Sequence, residues 1–185
     1  MTVFATGGVL IAHKMKIAIV SDSHDNLATA KKAIAWLNRE KIKIMIHCGD
    51  INSPAMLREI SKLFNGKIHL ISGNIGPLGI KSDKDPFRIK TFGIKNAKFY
   101  GETGELKIDN KKIAFAHEPA MAEELAKAKK YDLIFFGHTH QPWEKTLNNC
   151  KMVNPGTLAG MFNKATFATY DTKTDKLELK LVERL

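Results

Sequence analysis

Five short apolar runs, each followed within a few residues by side chains able to bind a metal ion, constrain the fold of this 185-residue chain more than any other feature. The runs are Ile17 to Val20, Ile44 to Cys48, Ile68 to Ile71, Ile113 to Ala116 and Leu133 to Phe136. Their length and continuous hydrophobicity suit buried strands. Behind them stand Asp22 and His24, then Asp50, Asn74, His117, and finally His138 with His140. In open sheets with helical crossovers, ligands bind in the crevice beyond the carboxyl ends of the strands. Such a sheet can therefore gather all seven side chains.

The segments between the runs fit that arrangement. Asp25 or Asn26 can cap a helix in which Leu27, Ala30, Ile34 and Leu37 recur at helical spacing. A second helix has Ser53 and Pro54 at its cap and first turn, Leu57, Ile60 and Phe64 as its apolar stripe, and Gly66 as its exit. Together these predict a βαβαβ opening. A third helix is expected from near Pro119, with Glu123 and Glu124 early and Lys127, Lys129 and Lys130 late, which complements the helix dipole, and with Leu125 on its buried side.

Elsewhere the period shortens to two. Leu106 and Ile108 lead through Asp109 and Asn110 to Ile113 and Phe115, a hairpin pattern, and Asn148 with Asn149 marks another turn. Phe167 to Tyr170 and Leu177, Leu179 and Leu181, joined through Asp171 to Asp175, read as two strands with one buried face. The parallel opening and an antiparallel second half predict two sheets packed face to face with helices outside. Residues 76 to 98, rich in Gly and Pro at the start, read as a long loop or lid over the site.

An apolar fraction of 44% is enough for one core, and no segment approaches the roughly 20 apolar residues of a membrane span. One domain is expected over residues 15 to 185, with no membrane partner and a cytoplasmic location. Met1 to Lys14 lack the basic start and cleavage site of a signal peptide, and Met15 offers a second start. The leader reads as a misassigned start, a cloning remnant or an extra strand. Cys48 and Cys150 belong to no C-x-x-C pair, so reduced thiols are expected and a thiolate zinc site is not. The net charge of +10 favours anionic partners, nucleic acid included. Of the 29 basic residues only four are arginines, and the lysines are dispersed, which favours a solvated surface over a nucleic-acid footprint.

No single ligand motif is specific, since Asp-x-His and Gly-Asp both recur by chance. Gly137-His138-Thr139-His140 carries more information, because two imidazoles two residues apart in an extended loop can face one site. The decisive feature is agreement of order, strand context and ligand type at five places. As a set, Asp22-Ser23-His24, Gly49-Asp50, Gly73-Asn74, His117 and Gly137-His138-Thr139-His140 resembles the calcineurin-like metallophosphoesterases, especially their small bacterial and archaeal phosphodiesterase branch. Asn154-Pro155-Gly156-Thr157 is similar to that branch's Asn-Pro-Gly-Ser element, and the resemblance spans roughly residues 15 to 185.

The resemblance implies a four-layer αββα sandwich, an α/β fold of two mixed β-sheets flanked by helices. It implies two divalent metal ions, one held by Asp22, His24 and His140, the other by Asn74, His117 and His138, with Asp50 bridging both; Asp50, Asn74 and His117 are also the catalytic residues it implies. Manganese is the first expectation, with nickel, zinc, iron, cobalt and magnesium left open. A hydroxide shared by two such ions can attack phosphorus in line, so the expected substrate is a small or nucleotide-like phosphodiester. Alternatives are a metal-binding interaction scaffold of the same fold, as in the retromer subunit, and a nuclease. Self-association is left open.

Two departures from the family pattern stand out. Many members carry a His and then an acidic residue after the Gly-Asn pair, where this chain has Ile75 and Gly76, so no local general acid is expected. After His117 the usual Gly is replaced by Glu118, which is expected to face solvent at a helix start. His13, His47 and His69 receive no catalytic role. Ser21, Ser23 and Ser53 lack the Gly-x-Ser-x-Gly setting of a nucleophile.

Overall fold

The apolar runs become neighbouring strands because each is followed by a helix with one buried stripe that returns the chain to the same sheet edge. The computed structural model describes residues 15–74 and 94–185. The leader expectation for residues 1–14 lies outside the described residues. So does most of the expected lid, together with Ile75 and Gly76; its far end is a strand and not a loop.

In the first sheet β1 (Lys16–Val20), β2 (Ile44–His47), β3 (Lys67–Leu70) and β4 (Ala97–Phe99) run parallel. Helices α1 (Leu27–Arg39) and α2 (Pro54–Leu63) make the first two crossovers. Asn26 caps α1 by accepting from the Thr29 amide at 3.3 Å, and Ser53 caps α2 by accepting from Met56 at 3.1 Å. The second sheet has β5 (Thr103–Ile108) and β6 (Lys111–Ala116) as a hairpin, then β7 (Leu133–Phe135), reached from β6 through α3 (Pro119–Lys127). It is completed by β8 (Trp143–Leu147) and β9 (Cys150–Asn154), in the order β5-β6-β7-β9-β8. Asn148 and Asn149 both have positive φ, 52° and 65°, which two-residue hairpins of the I′ type require.

The second half of the chain is not the antiparallel unit that its alternation predicts. β6, β7 and β9 are parallel, and the terminal hairpin of β10 (Thr166–Asp171) and β11 (Lys176–Leu181) joins the first sheet, in the order β11-β10-β1-β2-β3-β4. β10 therefore buries both faces. Phe167 packs outward on Trp36 of α1, with ring centroids 5.5 Å apart, while Ala168 and Tyr170 face the second sheet. Only β11 has the half-exposed character expected of both strands.

Three apolar layers make the expected αββα sandwich. Ala33, Leu37, Leu57 and Ile60 close α1 and α2 onto the first sheet. Ile17, Ile46, Phe115, Phe135 and Tyr170 fill the space between the sheets, and Ala122 and Ala126 seat α3 on the second. The dipole reading of α3 holds only for Lys127, which lies in the last turn. Glu123 and Glu124 lie mid-helix and pair with Lys145 at 2.5 Å and Lys127 at 2.6 Å, while Lys129 and Lys130 lie beyond the helix end.

Gly66 also serves a purpose different from the expected one. Its backbone is not left-handed; instead a Cβ there would lie 2.4 Å from the Lys43 carbonyl oxygen, which accepts from the Lys67 amide as β3 begins. The contact is backbone against backbone, so it cannot relax by a rotamer change. Gly66→Ala should cost about 1–3 kcal/mol, the usual scale of overpacking, read as a lowered denaturant midpoint. Gly66→Asn should be no better than alanine; recovery with Asn would instead support the left-handed exit.

Candidate metal centre

All five ligand-bearing loops leave the carboxyl ends of parallel strands. Asp22 and His24 follow β1, Asp50 follows β2, Asn74 follows β3, His117 follows β6, and His138 and His140 follow β7. Five of these residues hold left-handed backbone: Asp22, His24, Asp50, His138 and His140 have φ of 53°, 39°, 57°, 70° and 58°. For non-glycine residues this region is strained, and such residues cluster at functional sites. The loops are also tied together. Asp22 and His24 amides donate to the Gly49 and Asp50 carbonyls at 3.1 and 3.0 Å, and the Gly137 amide donates to His117 at 3.0 Å. Gly73 passes so close that a Cβ would meet Asp50 Oδ1 at 1.8 Å.

Two clusters result, and both include Asp22. Ligand atoms of Asp22, His24 and His140 lie within 4.8 Å of one another, as do those of Asp22, Asp50 and His117. His140 Nε2 is 3.3 Å from Asp22 Oδ1 and 3.0 Å from His24 Nε2. Asp50 Oδ2 stands 3.8 Å from His24 Nε2 and 3.4 Å from His117 Nε2, so it faces the imidazoles of both clusters. The sequence reading gave this shared position to Asp50 alone. His138 falls outside both groups, and it and Asn74 lie at their edge. Both are exposed, with Asn74 Oδ1 3.1 Å from His117 Nε2 and the His138 ring centroid 5.3 Å from that of His117.

Backbone carbonyls orient two of the rings. His117 Nδ1 donates to Cys48 at 2.8 Å and His140 Nδ1 to Met161 at 3.3 Å, which turns each Nε2 toward the cluster. His24 Nδ1 meets Asn52 Nδ2 at 3.2 Å, while Asn52 Oδ1 is buried with no hydrogen-bond partner. A half-turn of that amide would give Oδ1 a donor in His24 Nδ1–H and free His24 Nε2 as well. Asp22 Oδ1 is likewise buried without a donor. A buried carboxylate oxygen without a donor, beside imidazole nitrogens turned toward it, fits a divalent cation.

The charges are strongly coupled. Burial raises the Asp22 carboxyl above its ordinary range, with Asp50 adding to the effect and His117 and His140 opposing it. Burial works to lower the His117 imidazole, but its bond to Asp50 and the charges of Asp50 and Asp22 prevail and raise it. His47 is fully buried, its Nε2 3.1 Å from Ser23 Oγ, and burial pushes it down to about 3. Ser23 and Ser53 are structural hydroxyls, the first buried against His47 and the second capping α2. His69 packs against Tyr100, its Nδ1 2.8 Å from the phenol oxygen. Glu118 is exposed and makes no capping bond with its side chain, in accord with its expected solvent direction. Cys48 and Cys150 are free, and burial raises both thiols, that of Cys150 to about 11.

Several supporting groups escape motif reading. Asn154 donates to the Gly137 carbonyl at 2.8 Å and to Thr139 Oγ1 at 3.0 Å, while the Thr157 hydroxyl and the Ala159 amide both donate to the Asp22 carbonyl at 3.0 Å. The Asn-Pro-Gly-Thr element thus clamps two ligand loops. The Cys48 and Met161 carbonyls carry no identity in a sequence. Asn52 had a visible signal, a polar residue two positions beyond Asp50.

A two-sheet sandwich with carboxylates and imidazoles gathered at its strand ends has the architecture of a metal-dependent phosphoesterase. Residues 15–175 match the calcineurin-like phosphoesterase superfamily domain, and the chain belongs to that hydrolase superfamily. It is 31% identical over 150 residues to a phosphodiesterase of Methanocaldococcus jannaschii, covering 79% of this chain and 86% of that one. A probable metallophosphoesterase of Methanothermobacter thermautotrophicus is 27% identical over 151 residues, covering 77% of each. A solved archaeal phosphodiesterase superposes with a TM-score of 0.76 at 26% identity, covering 90% of this chain and 99% of that one. Among the described residues no helix is long and apolar enough to cross a membrane.

His47 gives the site a measurable pH signature. Above pH 6.5 the ring is neutral whether the chain is folded or not; below that value the unfolded chain takes up a proton which the folded one refuses down to about pH 3. Stability should therefore fall as pH drops through this window. His47→Gln should show a shallower fall, compared by chemical denaturation at several pH values, and an identical slope would remove His47 as its source.

Proposed function

We propose that the chain is a dinuclear-metal-dependent phosphodiesterase acting on small or nucleotide-like phosphodiesters. The observation that carries this reading is the pair of overlapping clusters, in which Asp22 and Asp50 lie among imidazoles oriented by backbone carbonyls. One divalent cation would be held by Asp22, His24 and His140, a second by Asn74, His117 and His138, with Asp50 between them. When bound, two such ions acidify a water as nucleophile and offset charge on the phosphoryl oxygens. Manganese is the proposed occupant, and nickel, zinc, iron and cobalt use the same donor types, so metal availability decides among them.

The chain's own residues then have separable tasks. Asp50, which faces both imidazole sets, would keep two cations close, while the Cys48 and Met161 carbonyls orient the rings of His117 and His140. The Asn154 and Thr157 bonds fix the loops, so that little reorganisation accompanies charge development.

Asp50→Asn preserves shape and removes the shared charge. It should weaken metal binding at both sites by about tenfold or more, a scale reached even by losing partners outside the ligand set. Elemental analysis and calorimetric titration read this directly, and undiminished occupancy at both sites would reject the assignment. Hydrolysis should be tested on metal-reconstituted protein with aryl phosphodiesters, phosphomonoesters, cyclic nucleotides and short nucleic acids. No diester turnover above the metal-only control would overturn the phosphodiesterase reading.

Leaving-group choice follows from the sequence at Ile75. General acid catalysis is worth about 10²- to 10⁴-fold, and an alkyl alcohol needs that proton far more than a nitrophenol does. Aryl diesters should be the faster substrates. Ile75→His should raise alkyl diester hydrolysis more than aryl diester hydrolysis; equal gains would disprove a missing acid.

A further inference from the structure

Phe162 is 89% exposed, the most exposed large apolar side chain among the described residues, and it stands at the rim of the candidate centre. Its ring centroid lies 5.6 Å from that of His140 at a tilt of 33°. Its φ of 62° is unfavourable for a bulky aromatic residue. Neither burial nor backbone preference accounts for this placement.

The segment that carries the ring is nevertheless firmly held. Asn26 donates to the Ala159 carbonyl at 2.8 Å, and the Ala159 amide donates to Asp22 at 3.0 Å. His140 donates to Met161, and Asn163 donates to the His140 carbonyl at 3.1 Å. The ring is thus bracketed by bonds to two loops that carry candidate ligands. Strain maintained in this way beside a site marks a group kept for function, provided a specific contact follows from it.

We infer that Phe162 is a specificity-determining residue that stacks on an aromatic ester group of the substrate. The inference rests on the phosphodiesterase reading above and specifies its substrate class. In an in-line displacement the entering and departing oxygens are apical, so the departing group points away from the attacking side. The ester group that is retained lies laterally, alongside the ligands. Phe162, its ring centroid 5.6 Å from that of His140, presents an exposed aromatic surface at the rim for such a lateral group. The matching ligand is a phosphodiester whose retained ester is planar and aromatic, an aryl group or a nucleobase.

The test holds the leaving group constant. Methyl, phenyl and nucleoside 5′-esters of 4-nitrophenyl phosphate all release the same nitrophenol, so differences among them report the retained group. Wild-type protein should have lower KM for the phenyl and nucleoside esters than for the methyl ester. Phe162→Asn, whose new side chain tolerates left-handed backbone, should erase about 3- to 10-fold of that preference, and Phe162→Tyr should retain it. The relative size of the phenyl and nucleoside effects tells an aryl group from a nucleobase.

Titration of the metal-loaded protein with phenylphosphonate and methylphosphonate reads the same preference without turnover. An equal preference in wild type and Phe162→Asn, by KM and by phosphonate affinity, overturns the inference. Failure of wild-type protein to cleave any of the esters overturns the phosphodiesterase reading instead, and phosphonate selectivity still decides the role of Phe162. If Phe162→Asn abolishes a concentration-dependent dimer seen by sedimentation and leaves phosphonate selectivity intact, the ring serves a second copy of the chain and the inference is wrong.

Discussion

Two buried carboxylates with ligand atoms within 4.8 Å of each other are the constraint on which the rest of this site depends. At an effective dielectric near 20, two unit charges at that separation repel by roughly 3 kcal/mol. Nothing in the apolar core relieves this repulsion, and burial adds to it, as the raised Asp22 carboxyl indicates. Among the described residues, the side chains that come closest are imidazoles and not lysines. An ammonium group would neutralise the pair permanently. Imidazoles held as lone-pair donors leave room for a cation to do so.

Holding two carboxylates against their mutual repulsion requires a rigid frame, which explains why the site lies where strands from two sheets end together. Parallel strands are buried on both faces and begin from fixed registers, such as Ile17 against Ile44 and Ile113 against Leu133. Their end positions are therefore set by the core. The left-handed residues add the short-range correction, redirecting the chain within two to five residues of each strand's end. That strain costs on the order of 1–3 kcal/mol per residue, and the backbone bonds between loops hold it in place. Asn154 and Thr157 brace the same loops from the opposite side.

The candidate ligand residues and the sandwich were legible in the sequence because both depend on local pattern: apolar runs of strand length, then ligand types in a fixed order. It was less informative wherever a long-range pairing decides the outcome. The alternation in residues 166–181 predicts one buried face, yet β10 is inserted between β1 and β11 and loses both faces to packing. Gly66 reads as a helix exit because the Lys43 backbone that passes it is distant in sequence. The orienting groups of His117 and His140 are main-chain carbonyls, which every residue possesses. Phe162 was invisible for a related reason, since its significance comes from the loop that places it beside His140.

Charge distribution sets an order of events under the proposed reading. The chain carries +10 overall, but many surface lysines are engaged locally, as Lys62, Lys127, Lys145 and Lys164 are with Glu59, Glu124, Glu123 and Glu183. Such dispersed charge draws an anion to the molecule without selecting a position on it. At the centre itself the fixed charges are Asp22 and Asp50, which repel a phosphodiester until cations are bound. Metal and substrate must then be thermodynamically coupled, each strengthening the other by the same factor. Phe162 adds a contact that is independent of charge, and at the rim of an ionic site such a contact can separate one phosphodiester from another when the phosphate cannot.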